Sequence, residues 1–263
     1  MATVHVSDFE EFLTAAAVSG DTIVLPSQAV WDFNEIAPEG YIGDIPINCA
    51  QIEGNGTAFQ NLHLFGKFVV PSDCTFNDLS MKNTVCEGQS FFGISGSSRK
   101  LTMNGCIMTG IFGTETQNFS ASRLEMNRSV LNIDMTQGSY SDVEIAAFGQ
   151  YDAQYSRITV RYPLNSGGGF SFGERVSFCK YDVDYLGCRY IDTSSISGSV
   201  VVGNFGEAID QNYYGSHGTW VTIFDVAAFS PNFVPGTEYF KGVTRQQMYD
   251  AAYLSSIGFP IGV

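Results

Sequence analysis

The chain has 263 residues, 44% of them hydrophobic and 15% charged, and its 13 Lys+Arg against 27 Asp+Glu leave a formal net charge of −14. Such a composition belongs to a folded chain with a polar, mostly uncharged surface and argues against a disordered tail, while the acidic balance repels phosphate backbones and anionic lipid, so no nucleic-acid partner is expected. No linker-like run divides the chain and no apolar run is long enough for a membrane span, so one elongated domain is expected.

The first elements read Val4-His5-Val6, then Ser7-Asp8-Phe9-Glu10, then a helix through Val18. Ser7 and Glu10 have capping-box spacing. Phe9, Phe12, Leu13 and Ala16 share one helical face, and Asp8, Glu10 and Glu11 lie near its positive end. Gly20 closes the helix, and Asp21 to Leu25 reads as a short buried strand. Met1 to Phe12 carries no signal peptide, so synthesis in the cytoplasm and free thiols are expected. The six cysteines (Cys49, Cys74, Cys86, Cys106, Cys179, Cys188) have no C-x-x-C spacing. They read as small buried hydrophobes, with no metal or cofactor implied.

The run Phe12-Leu13-Thr14-Ala15-Ala16-Ala17, followed by Ser19-Gly20-Asp21-Thr22-Ile23-Val24-Leu25-Pro26, resembles the opening of pectate-lyase-like right-handed parallel β-helix proteins. In these an amphipathic helix plugs the end of the solenoid and a Gly-Asp-Thr-Ile turn enters the first coil. The resemblance covers about 26 residues. It implies an all-β, right-handed parallel β-helix with an N-terminal capping helix. It implies little about activity, because that fold carries lyases, hydrolases, phage tailspikes and adhesins alike.

From residue 45 to 203 the chain repeats an apolar residue, a spacer and another apolar residue: Ile45/Ile47, Leu62/Leu64, Leu79/Met81, Leu101/Met103, Leu124/Met126, Val143/Ile145, Ile158/Val160 and Val183/Tyr185. Their first members are 17, 17, 22, 23, 19, 15 and 25 residues apart, a loose period near twenty. Alternation puts both members of a pair on one face of an extended segment, and Gly, Asn, Asp and Ser between pairs supply turns. A lone coil cannot offset the backbone entropy of about 1–2 kcal/mol per residue. Stacked coils can, since each buried aliphatic side chain contributes about 1.5–3 kcal/mol. These terms favour a β-solenoid; a β-sandwich of irregular strands is the competing fold. Glu53-Gly54-Asn55-Gly56-Thr57 reads as a turn between strands, as does Gly66. Asn61, Asn77, Asn104 and Asn127 recur near one phase and are expected to stack as a corner ladder, Asn tolerating left-handed backbone. Glu87 to Lys100 and Asn165 to Gly169 are Gly-rich excursions suited to contacts.

After Gly203 the pattern stops. Tyr213-Tyr214-Gly215-Ser216-His217-Gly218-Thr219-Trp220 is aromatic-rich, and Thr244 with Gln247 forms a second capping box. It opens a short C-terminal helix through Ser255 with Tyr249, Tyr253 and Ile257 along one stripe and Gly258 as C-cap. The expected organisation is a strand-helix cap over 1–26, a β-solenoid over 27–203, and an aromatic-rich cap or attachment segment over 204–263.

The resemblance directs attention to sugar-cleaving machinery. The Asn-Thr-Asp, Asp-Asp, Gly-His-Gly and Arg-Ile-Lys motifs of polygalacturonase-like hydrolases do not occur, and Gly215-Ser216-His217-Gly218 departs from the third. Asp182 and Asp184, with Arg189 nearby, come nearest to the acidic cluster of the calcium-dependent lyases, but such pairs are common on solvated strands. Carboxylates such as Asp142, Glu144 and Asp152 could meet across coils. His5 and His63 read as structural or surface positions. Aromatic side chains with polar tips suit sugars and protein surfaces, which makes Tyr151, Tyr155, Tyr213, Tyr214, His217 and Trp220 the candidate binding residues. The expected function is a non-enzymatic structural or attachment protein: a phage tail or head fibre or an adhesin, on a virion or cell surface. It contacts a glycan, a cell-surface receptor or other virion proteins and, by analogy with such fibres, forms a homotrimer. A polysaccharide depolymerase, lyase or hydrolase, with an inter-coil or inter-subunit site is the alternative, and an intracellular scaffold a third.

Overall fold

The computed structural model describes residues 1–37, 43–61, 68–83, 92–94, 100–111, 124–134, 136, 151–161, 168–171, 175–184, 188–192, 195–197, 199–204, 240–242, 244–256 and 258–260. The chain opens with β1 (Thr3–His5), α1 (Phe9–Ala16), β2 (Thr22–Val24), β3 (Val30–Asp32) and α2 (Phe33–Ile36). Next come β4 (Ile45–Pro46), β5 (Gln51–Gln60), β6 (Phe68–Val70), β7 (Cys74–Asn83) and β8 (Phe92–Ile94). Paired short strands follow: β9 (Leu101–Asn104) with β10 (Ile107–Ile111), β11 (Leu124–Asn127) with β12 (Val130–Asp134), and β13 (Tyr151–Gln154) with β14 (Arg157–Arg161). The remaining strands are β15 (Gly168–Ser171), β16 (Arg175–Ser177), β17 (Lys180–Asp184), β18 (Cys188–Asp192), β19 (Ser195–Ser197), β20 (Ser199–Asn204) and β21 (Phe240–Gly242). Two short helices close the described chain, α3 (Arg245–Met248) and α4 (Ala251–Ser256).

Every strand pairing among these residues is parallel and joins one rung to the next, so the chain is a β-solenoid and not a sandwich of antiparallel sheets. One strip runs through β7, β9, β11, β13, β16 and β19, and a second through β7, β10, β12, β14, β17, β20 and β21. Because β5 and β7 each span both strips, the two form one 16-stranded sheet bent along a line. The sets β4-β6-β8 and β15-β18 are separate parallel sheets.

Of the expected apolar pairs, Ile45/Ile47, Leu79/Met81, Leu101/Met103, Leu124/Met126 and Ile158/Val160 are buried, as is Val183. Ile52, Phe76, Met103, Met126, Ala153 and Val176 are buried register partners in the first strip, and Phe59, Met81, Met108, Leu131, Ile158 and Tyr181 in the second. The period is corrected. Equivalent positions Cys74, Leu101, Leu124 and Tyr151 are separated alternately by 27 and 23 residues, not by about twenty. Leu79/Met81 and Ile158/Val160 belong to the second strip, whereas Leu101/Met103 and Leu124/Met126 belong to the first, so steps between pairs mixed two positions of one rung. Leu62/Leu64, Val143/Ile145, Tyr185 and Gly66 lie outside the described residues.

The bend between strips is made by one left-handed residue, joined at the first corner by a second, Gly56 at φ +75°. Asn55, Asp78, Gly105, Arg128, Tyr155 and Phe178 have φ of +51°, +48°, +64°, +49°, +48° and +53°. One such residue between two extended segments redirects the strand sharply, and the corner is then held from both sides. Outside, Asn127 donates to Asn104 Oδ1 at 2.9 Å, Asn104 to Asn77 Oδ1 at 2.8 Å, and Asn77 to Glu53 Oε1 at 2.9 Å. Three members of the expected ladder are therefore present. Asn61 is not in it: it donates to Asp32 Oδ1, and Glu53 terminates the ladder. Inside, the residue after the corner is small in five of the six cases, Gly56, Cys106, Ser129, Ser156 and Cys179, and is Leu79 after Asp78. The backbone N–H of Cys106 donates to Ser129 Oγ at 3.1 Å, and that of Ser129 to Ser156 Oγ at 3.1 Å. Buried backbone groups displaced by the turn thus keep their partners.

At the first corner Gly54 and Gly56 flank Asn55 within β5, the register shifting between Glu53 and Thr57. A Cβ on Gly54 would lie 2.2 Å from the Asp78 carbonyl oxygen and 2.8 Å from that of Asn77. Neither backbone oxygen can retreat without opening the rung. Gly54→Ala is therefore expected to lower stability by about 1–3 kcal/mol, read as a lower urea midpoint with unchanged slope. An unchanged midpoint would show that the rungs do not approach this closely.

Helix α1 presents Phe9 and Phe12 to Trp31, Phe33 and Phe59 of the first rungs, with ring centroids 5.1–5.9 Å apart. Its start differs from the Ser7/Glu10 expectation. Asp8 is the N-cap, accepting from Glu11 N at 2.9 Å, and Glu11 reaches back to the Ser7 N–H and hydroxyl. Asp8 wins because its fixed charge also faces the helix dipole. The Thr244/Gln247 box is present as expected. The helix it opens, however, breaks after Met248, and Asp250 caps a second turn through Ala252 N and Tyr253 N. The helical residues buried here are Met248 and Leu254, joined by Phe259 beyond the last turn, while Tyr249 is exposed and Ile257 lies outside the described residues. Gly258, at φ +76°, follows as expected of a C-cap.

Cys49, Cys74, Cys106 and Cys179 are buried and unbridged, as expected of small core residues. Burial pushes the Cys106 thiol up to about 11 and the Cys179 thiol up to about 12. A hydrogen bond to Cys49, in which Cys74 is the donor, and burial raise the Cys74 thiol as well. Cys86 lies outside the described residues, and Cys188 begins β18.

Candidate functional site

Two arrangements on β13–β17 stand out from the repetitive scaffold. The first is an aromatic ledge at the corners. Tyr155 and Phe178 occupy consecutive left-handed positions, and their rings stack with centroids 5.3 Å apart and planes 11° from parallel. Asn55, Asp78, Gly105 and Arg128, at the equivalent corners, are exposed, whereas Tyr155 and Phe178 half-bury one another. Left-handed backbone costs a residue with a Cβ about 1–2 kcal/mol, and bulky side chains are uncommon there. The stack offsets about 0.5–1.5 kcal/mol of this for the pair, so local structure alone does not favour two aromatics over Gly or Asn.

The second is a charged cluster where the C-terminal helices cross the outer face of β17. Asp182, whose side chain is 2% exposed, accepts from Arg245 Nη2 at 2.7 Å and Nε at 3.0 Å, from Arg161 Nη2 at 3.0 Å and from the Tyr249 hydroxyl at 3.2 Å. Asp184, 34% exposed, accepts from Arg245 Nη2 at 2.9 Å and Arg161 Nε at 3.3 Å. The strand geometry explains the convergence. Residues 182 and 184 share the outer face of β17, Arg161 is the register partner of Asp184, and Arg245 is the first residue of α3. Burial alone would raise the Asp182 carboxyl. The hydrogen bonds and charges of Arg245 and Arg161 outweigh it and hold the group below its ordinary value of 3.8. Burial, with the nearby Asp182 charge, raises the Tyr249 hydroxyl. The carboxylate pair thus has its lone pairs occupied by two guanidinium groups, the arrangement of a clasp between the helix and the sheet.

Of the candidate binding residues, Tyr155 is on the ledge and Tyr151 is in β13 on the same rung, at the register position of Leu124. Tyr213, Tyr214, His217 and Trp220 lie outside the described residues, as do Asp142 and Glu144. Asp152 sits between Glu125 and Arg175 in register, Arg189 lies in β18, and His5 is exposed in β1. Phe178 was missed, although the alternate 27- and 23-residue spacing of the corners, once seen, marks it. Arg161 and Arg245 were missed because nothing in their local sequence links them to Asp182. Among the described residues no group of three or more His, Cys, Asp or Glu could hold a metal ion, and no helix is long and apolar enough to cross a membrane. No family profile, curated protein or solved structure matches the chain.

Proposed function

We propose that the protein is a non-enzymatic attachment or structural β-solenoid of the phage-fibre or adhesin type, using the corner ledge to contact a cell-surface glycan or protein. In this reading the solenoid is right-handed as in the pectate-lyase-like proteins, α1 plugs its N-terminal end, and three copies associate on a virion or cell surface. The observation that carries it is the Tyr155–Phe178 stack. Two large rings occupy strained corners where small or polar residues serve elsewhere, and they form a rigid amphipathic edge of the kind used to bind sugars and protein surfaces. The engagement of Asp182 and Asp184 by arginines also supports it, because these carboxylates are not presented to a substrate.

The test is binding to a glycan array by wild type, Tyr155→Ala and Phe178→Ala. Either truncation is expected to weaken binding about tenfold, corresponding to about 1.4 kcal/mol, and to lower stability only by the lost stack, about 0.5–1.5 kcal/mol, because Ala keeps its Cβ at the left-handed corner. Release of reducing ends or unsaturated sugars by the wild type would instead establish the depolymerase.

A further inference from the structure

The buried cysteines are of two kinds. Cys106 and Cys179 follow a corner, where Ser129 and Ser156 serve equally well. The Cys106 thiol donates to Phe76 O at 3.3 Å and the Cys179 thiol to Ser177 O at 3.4 Å, as the two serine hydroxyls donate to Asn127 O at 3.0 Å and Gln154 O at 2.9 Å. Cys49 and Cys74 do not follow a corner. Cys74 opens β7 at the register position of Leu101, Leu124 and Tyr151, where later rungs place a larger residue. Cys49 lies on the preceding rung just before β5, and the bond from the Thr75 N–H to Ala50 O at 3.0 Å sets it beside Cys74. Both side chains are buried in one core, and the Cys74 thiol donates to the Cys49 sulfur. Asn48, next to Cys49, donates to Ala16 O at 2.7 Å and to Ala17 O at 2.9 Å, so the same segment carries the end of α1.

We propose that Cys49 and Cys74 are an oxidation site, a latent disulfide that forms when the folded chain meets a peroxide and staples the rung of β5, with the end of α1, to the rung of β7. Packing alone does not call for this pair, since Leu fills the Cys74 position on later rungs. The thiol hydrogen bond already places the sulfurs in contact, and closing it to an S–S bond of about 2.0 Å needs only a small approach. The bond from Cys74 holds the Cys49 thiol below its ordinary value of 9.0 against the effect of burial, so Cys49 is the sulfur that ionises first. Its thiolate attacks one peroxide oxygen. The O–O bond breaks, the departing hydroxide takes up the proton that Cys49 released, and Cys49 becomes a sulfenic acid. The Cys74 sulfur then attacks Cys49 Sγ, the S–O bond breaks, and the departing hydroxide takes the Cys74 proton. Two thiols and one hydrogen peroxide thus give one disulfide and two waters, two electrons passing from sulfur to oxygen. Because both thiols are buried, the reaction waits on local opening and is slower than oxidation of an exposed thiol.

The test is peptide mapping of wild type after treatment with hydrogen peroxide, the remaining thiols being alkylated in urea before digestion. A peptide joining Cys49 to Cys74 is expected, lighter by two hydrogen atoms than the sum of its reduced halves and absent after dithiothreitol. The oxidised protein should melt about 5–10 °C above the reduced one, and dithiothreitol should reverse the rise. Cys49→Ala and Cys74→Ala should lose both the peptide and the rise, whereas Cys106→Ala should keep both. The proposal is overturned if all six thiols stay open to alkylation, if the cross-link joins Cys49 or Cys74 to another cysteine, or if Cys49 runs on to the sulfinic acid without a cross-link. A Cys49–Cys74 bond that fails to raise the melting temperature also overturns it, because the native rungs would then have to distort to admit the bond. The mapping needs wild type alone, so it decides the matter even where a variant does not fold. None of these readouts uses the Tyr155 ledge, so the two readings fail separately.

Discussion

Phe59→Ala is expected to be the most damaging single core substitution, costing about 3–5 kcal/mol. Phe59 is fully buried and is the residue on which the first rungs converge. Its ring lies 5.6 Å from Phe12 of α1, 5.1 Å from Trp31 of β3, 6.2 Å from Phe33 of α2 and 5.7 Å from Phe68 of β6. Truncation opens a cavity bounded by four elements that enter the chain at different points. None can move in to fill it without breaking its own strand pairing or helix cap. Phe59→Leu, which keeps most of the volume, should cost less. A double-mutant cycle with Phe12→Ala checks the contact directly: the joint loss should fall short of the sum of the single losses by about 0.5–1.5 kcal/mol. Additivity would show that α1 does not rest on Phe59.

Much of this scaffold is written in local pattern. The apolar-spacer-apolar pairs at Leu101/Met103, Leu124/Met126 and Ile158/Val160 mark residues that the structure buries. Asn77, Asn104 and Asn127 mark the corner. What pattern could not supply was the identity of each pair's strip, because Leu79/Met81 and Leu101/Met103 look alike but lie on opposite sides of a corner residue. The corner itself is hidden by its tolerance. Asp78, Gly105, Arg128, Tyr155 and Phe178 have no chemistry in common, only a left-handed φ. Recognising them requires the rung spacing, and the rung spacing requires them. The charged cluster is less legible still. Asp182 and Arg245 are 63 residues apart, and neither has a neighbour in sequence that announces the other. The two aromatic corners depart from what the scaffold needs at those positions, and both fall on the rungs of β13–β17.

Asp182→Asn is the second large effect, and its dependence on pH separates a working clasp from incidental contacts. Asp182 is buried, yet it joins Arg161 of β14, Arg245 of α3 and the Tyr249 hydroxyl. Removing its charge leaves two guanidinium groups facing an amide that cannot neutralise them. Breaking a buried pair costs about 3–5 kcal/mol. Here Arg245 keeps 49% of its side chain in water and retains Asp184, so about 2–3 kcal/mol is the expected loss at neutral pH. Because the folded carboxyl titrates below its ordinary value of 3.8, the ion pair's contribution is complete above that value. It is lost as pH falls from there through the lower, folded pKa. Wild type and Asp182→Asn should therefore differ in urea stability by a constant amount from pH 7 to about pH 5 and converge below pH 4. Limited proteolysis locates the change: cleavage near Thr244 to Ser256 should be fast in Asp182→Asn at pH 7, and fast in wild type only in acid. A difference in stability that held undiminished at pH 2.5 would mean that the Asp182 charge contributes nothing, and that α3 and α4 are held on the sheet by Met248, Leu254 and Phe259 alone.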